Sequence, residues 1–211
     1  MIGTTGFFNF TLIPDSGPLA GRRFAVAYKP PGPLSSAVLQ DMLLDAAKGP
    51  LVPDSIVLLC VVEDVHGNLR KALQTPLGLA ALARMEGRIP VIFAELSLTS
   101  GKTTAEALGA SFPPARRRAL ESTVTSSVDQ IIKAGLQSAF PEHDVILRAP
   151  PGYAYQKPSG GRSNLFLKPE LGLTTSAAVS FVAFALFKHL YCGHVGRLKV
   201  LKPAFVDTMP I

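Results

Sequence analysis

Two apolar runs, SIVLLCVV at 55–62 and IPVIFAEL at 89–96, constrain the fold more than any other part of the chain. Neither alternates polar with apolar residues, so neither reads as a strand with one wet face. Both predict strands covered on both sides, the environment of a buried strand in an α/β sheet. Between them the pattern predicts a helix over about 68–86, closed by Gly87.

The neighbouring elements extend this order. RRFAVAY at 22–28 reads as a short strand, and KPPGP breaks the chain after it. Ser35-Ser36 can cap a helix running to about Ala47, which Gly49-Pro50 and Pro53 end. TSGKTT reads as a polar turn before a helix. A long helix is expected from Pro114 to Phe140, because Leu120, Val124, Val128, Ile131, Ile132 and Leu136 follow helical spacing, and Pro141 ends it. DVILRAP reads as a short strand, and GYAYQ and NLFLK as the two arms of a hairpin. Thr174-Thr175-Ser176 should cap an apolar helix over 176–191, and RLKVLKPAFVDTMPI reads as one more strand.

The β-α-β-α-β order implies an α/β fold: a mainly parallel sheet flanked by helices, with a C-terminal β-hairpin and apolar helix. No internal repeat or low-complexity segment interrupts it. A boundary near 141–143 would divide the chain into an α/β segment, 1–142, and a C-terminal segment, 143–211, unless the two form one continuous domain.

Composition supplies a core and little else. The chain is 47% hydrophobic, and its two cysteines, Cys60 and Cys192, sit in apolar runs. They read as buried, reduced thiols, so a cytoplasmic setting is expected. The N-terminus has no basic stretch leading into a sustained apolar one, so no signal peptide is expected. The most apolar run, 176–187, is too short to span a bilayer, so no membrane partner is expected. The net charge of +6 suits an anionic ligand, and nucleic acid stays open as a partner. The dense cluster Arg116-Arg117-Arg118 reads as the solvated first turn of a helix or as a seat for an acidic partner. No broad basic stripe with interleaved aromatics stands out.

Two motifs invite a catalytic reading and fail on spacing or company. Gly101-Lys102-Thr103 ends like a phosphate-binding P-loop, but the glycine needed five positions before Gly101 is Leu96. Asp64-Val65-His66-Gly67-Asn68 after a buried strand resembles the first metal motif of calcineurin-like metallophosphoesterases. There Asp64 and His66 would share a hard divalent metal. The Gly-Asp and Gly-Asn-His elements of that family are absent, and Asp64 also fits a helix-capping turn.

The stretch YQKPSGGRSNLFLKPE at 155–170 carries the strongest lead. Gly160 and Gly161 permit a close backbone approach, Ser159 and Ser163 supply hydroxyls, and Lys157 and Arg162 supply cationic donors. The same residues also fit an ordinary Gly-rich turn with solvated charges. The order Tyr155, Ser159-Gly160-Gly161-Arg162-Ser163, NLFL, LTTSAAVSFVAFALFKHL, LKVLKPAFVDT resembles the N-terminal portion of orotate-type phosphoribosyltransferases over residues 145–211. Gly161-Arg162 stands where that family often has two basic residues, and Lys157 can compensate from the preceding strand. The resemblance implies a hood hairpin over an anionic ligand, either phosphoribosyl diphosphate or a nucleotide. The reaction it implies is displacement at ribose C1, with Mg²⁺ on the diphosphate. It also places the diphosphate and ribose loops beyond Ile211. The paired acids Glu63-Asp64 lack the threonine-bearing loop those enzymes need. The chain is therefore expected to be incomplete or non-catalytic as an enzyme. The alternative is an α/β assembly or interaction module using helix 176–191 in a homo- or hetero-oligomer.

Overall fold

The computed structural model describes residues 6–17, 19–47, 52–62, 69–85, 88–97, 100–108, 112–141, 146–156, 160–168 and 172–194. Five strands form one sheet in the order β1 (Phe8–Leu12), β2 (Phe24–Tyr28), β3 (Ser55–Val61), β4 (Val91–Leu96), β5 (Thr103–Leu108). β2, β3 and β4 are parallel neighbours, as the apolar runs predict. β1 and β5 flank them antiparallel, so the sheet is mixed and parallel only at its centre. This corrects the expectation of a mainly parallel sheet. The two edge strands were hidden because they are half wet: β5 alternates exposed and covered residues, and its sequence TTAEAL is polar. One amide of its outer edge is taken, since Glu121 Oε1 accepts the amide of Ala107 at 2.9 Å.

Every residue of β3 is buried. The reason is a helix layer on each side. The connections β2–α1 (Ser36–Ala47)–β3 and β3–α2 (Leu69–Gln74)–α3 (Pro76–Met85)–β4 each step one strand in the same direction. Crossovers of one hand put their helices on one face. Accordingly Ala27, Ile56, Leu58, Val91 and Phe93 pack with Leu39, Met42, Leu43, Leu69 and Met85. The alternate residues Phe24, Val26, Tyr28, Val57, Leu59 and Ile92 face the other layer. That layer is α4 (Pro114–Ser126), α5 (Val128–Ala139) and α6 (Ser176–His194), which contribute Leu120, Val124, Ile131, Phe181 and Phe184. Each large side chain buried this way contributes about 1.5–3 kcal/mol.

Ser35 caps α1 by accepting the Val38 amide at 3.2 Å, and Thr175 caps α6 by accepting the Ala178 amide at 3.1 Å, as expected. Two predicted helices are each broken in two. The first breaks at Thr75-Pro76, where proline cannot donate and the Thr75 hydroxyl bonds Ala72 O at 2.7 Å. The second breaks at Ser127, whose φ is −100°. In the run Ser-Thr-Val-Thr-Ser-Ser the hydroxyls of Thr123, Thr125 and Ser126 turn back to carbonyls of the preceding turn at 2.7, 2.8 and 3.1 Å. Such back-bonding bends and weakens a helix.

α6 closes the second core. Phe181 is fully buried, with ring centroids 5.3, 5.1 and 5.2 Å from Phe8, Phe10 and Tyr28. α5 passes so close that a Cβ on Gly135 would lie 2.2 Å from Phe181 Cζ, so only glycine fits there. Among the described residues no helix is long and apolar enough to cross a membrane. The strand expected within 197–211 lies outside the described residues, as does the side chain of Cys192.

Candidate functional site

Between α5 and α6 the chain makes two small ladders instead of one hairpin. β6 (Ile146–Arg148) pairs antiparallel with β9 (Leu165–Leu167), and β7 (Tyr155–Gln156) with β8 (Arg162–Ser163). The expected arms GYAYQ and NLFLK therefore do not pair with each other. NLFLK is taken by β6, and the ladder extends one step further through Ala149 N to Asn164 O at 2.9 Å. GYAYQ instead meets the residues that directly follow the glycine turn.

That turn keeps part of the geometry its sequence suggests. Gly160 has φ +81°, a conformation L side chains resist, with nothing within 4 Å of where a Cβ would sit. Gly160 itself is thus uncrowded. Arg162 is exposed and stands opposite Gln156 in the ladder. Ser163 stands opposite Tyr155, and its Oγ accepts the Leu165 amide at 3.2 Å, which fixes the entry into β9. Gly160, Arg162 and Ser163 are thus brought to one exposed turn; Lys157 and Ser159 lie outside the described residues.

The structure adds aromatic residues that the sequence reading passed over. The Tyr155 and Phe166 rings lie 5.6 Å apart, joining the two ladders. Phe166 is 40% exposed and Tyr153 75% exposed. The signal was available: residues 146–168 hold Arg148, Lys157, Arg162 and Lys168, three aromatics and no acid.

The other candidates separate cleanly. Gly101-Lys102-Thr103 forms the hairpin between β4 and β5, with Gly101 N on Ser97 O and Ser97 N on Lys102 O, both at 2.9 Å. A P-loop must open a helix, so the expected turn before a helix and any nucleotide-triphosphate reading both fall. Asp64 and His66 lie outside the described residues, between the end of β3 and the start of α2. Just beyond them Arg70 bonds Glu95 at 3.2 Å and Glu106 at 2.9 Å and lies 4.8 Å over the Phe93 ring. Burial disfavours its charge, but the bonds to the two carboxylates outweigh that and hold Arg70 above its ordinary range. This is a clip from α2 to β4 and β5, already occupied at each end.

Arg116-Arg117-Arg118 opens α4, as expected, behind Pro113 and without a side-chain cap. Arg116 lies 5.2 Å over the Phe112 ring and, with Arg22, Asp54 and Ser55, lines a polar hollow of about 300 Å³. Asp54 offsets the charge there by bonding Arg22 at 3.3 Å and the Arg23 amide at 2.8 Å. A wider apolar groove of about 840 Å³ runs between α5 and α6, lined by Ile132, Leu136, Phe140, Val182 and Leu186. Neither a family model, nor a curated protein, nor a solved structure matches the chain.

Proposed function

We propose that the chain binds a phosphorylated anionic ligand at the Gly160–Ser163 turn, as a phosphoribosyltransferase-like protein that is non-catalytic or part of a larger enzyme. The observation that carries this reading is the turn itself: an open Gly160 at φ +81° next to an exposed Arg162. A positive-φ glycine lets a phosphate approach the backbone, and a guanidinium can meet two of its oxygens at once. Lys157 and Ser159 would add a second cation and a hydroxyl. A magnesium ion would arrive on the ligand's diphosphate; among the described residues no group of three or more His, Cys, Asp or Glu offers it a separate seat. Buried Cys60 is in no disulfide among the described residues, which suits a cytoplasmic setting.

Isothermal calorimetry with phosphoribosyl diphosphate and magnesium tests the reading. Binding that Arg162→Ala weakens tenfold or more, roughly the worth of one charge-assisted contact, supports it. No heat, or binding indifferent to Arg162, ends it.

A second reading is favoured by the groove between α5 and α6. Val179, Leu186 and Phe187 are 45%, 57% and 45% exposed on a helix that is apolar nearly all round. A helix of that kind is ordinarily covered, so an assembly role is the alternative. Light scattering at micromolar concentration decides it, a monomer counting against.

A further inference from the structure

We propose that the hollow at the amino ends of β2 and β3 is a second site, one for a small free monocarboxylate. It lies where Phe24 and Ser55, the first residues of the two strands, stand side by side, and Arg116 and Leu120 of α4 complete its lining. Its volume of about 300 Å³ sits at the lower end of small-molecule sites. Two guanidinium groups and one carboxylate line it. The carboxylate is engaged at both oxygens: Asp54 Oδ1 takes Arg22 Nη1 at 3.3 Å, and Oδ2 takes the Arg23 amide at 2.8 Å. Arg116 has no carboxylate partner among the described residues; it lies 5.2 Å over the Phe112 ring. A ring steadies a guanidinium without neutralising it. The hollow therefore keeps one positive charge, and a monoanion balances it.

The polar groups also choose between anions. The arginines supply N–H donors. Ser55 Oγ gives its proton to Asp54 O at 2.7 Å, so a ligand can meet it only as an acceptor, and Asp54 is an acceptor too. A carboxylate carries both oxygens on one side and can turn them together toward a guanidinium fork. A phosphate carries oxygens all round and at neutral pH holds up to two charges, so it would set negative oxygen against Asp54. The hollow thus suits carboxylate and resists phosphate, the opposite preference to that proposed for the Gly160–Ser163 turn.

The same helix argues for a small molecule over an acidic polypeptide. Arg116 and Leu120 are four residues apart and share one face of α4. Successive residues of a helix point about 100° apart, so Arg117 and Arg118 turn away from that face. The arginine triplet is therefore no continuous basic stripe. Leu19 and Leu120 supply the apolar part of the lining, which suits a short aliphatic tail behind the carboxylate.

This proposal uses no residue of the Gly160–Ser163 turn and does not rest on that reading. The full chain, ¹³C-labelled at its leucine methyl groups, is titrated with sodium butyrate at constant ionic strength. Saturable movement of the Leu19 and Leu120 methyl signals is expected. Arg116→Ala, at an exposed position, should weaken binding about ten- to 150-fold, the worth of a charge-assisted contact. Arg116→Lys should restore only part of it, because an ammonium has no fork. Asp54→Asn keeps the shape, removes the charge and should admit inorganic phosphate. Methyl signals that stay still, binding indifferent to Arg116, or phosphate moving the signals of the unaltered chain as readily as butyrate would overturn the proposal. So would movement with polyglutamate and none with butyrate, which would mean an acidic polypeptide. A chain that takes butyrate here and no phosphoribosyl diphosphate keeps this proposal and ends the former one; the reverse ends this one.

Discussion

The central sheet and the 146–168 segment are built in opposite ways. In the sheet every residue of β3 is covered, and the charged groups there are already engaged. Arg70 is held by Glu95 and Glu106, and the buried Lys29 donates to Gly32 O. In the segment the ladders are two or three residues long, yet arginines and aromatic rings face solvent. The first region has much structure and spends its polar groups on holding it. The second has little structure, and its Arg162 stays exposed. Function placed on loops over a rigid scaffold commonly divides in this way.

That division can be broken by mutation. The largest effect should come from Phe181→Ala, which empties the site where α6 meets β1 and β2; it should cost about 3–5 kcal/mol in urea unfolding. A cost as small as that of a surface substitution would mean α6 does not belong to the core. Gly135→Ala should follow at about 1–3 kcal/mol, since the new methyl collides with Phe181 unless α5 and α6 part. Thr175→Ala removes the α6 cap and should lower stability by about 1 kcal/mol, with Thr175→Ser restoring most of it. Smallest of all, Arg162→Ala should change stability by less than about 0.5 kcal/mol while removing ligand. If thermal melts show Arg162→Ala to be as damaging as the cap variant, the contrast between the two regions fails.

What was legible in the sequence followed burial. β3 and β4 were plain because continuous apolar runs have few alternative folds, and the caps Ser35 and Thr175 were plain because a hydroxyl before an apolar helix has an obvious partner. β1 and β5 were missed because half-wet strands carry a weak period-two signal. The helix breaks at Thr75-Pro76 and Ser127 depend on hydroxyls choosing local carbonyls, a competition that apolar spacing does not register. In the candidate site the glycine turn was visible from its composition. The strand pairing was not, because Leu165–Leu167 could join either neighbour and only folding assigns it to Ile146–Arg148. The contact of Tyr155 with Phe166 is a consequence of that assignment, which is why it emerged only from the structure.

The most direct measurement is a titration of the ¹⁵N-labelled chain with inorganic diphosphate, watching backbone amide signals. The account predicts that signals of Gly160, Gly161, Arg162 and Ser163 move together and that Arg162→Ala stops them. Movement centred on Arg116–Arg118 at the start of α4, or none in either place, would contradict it.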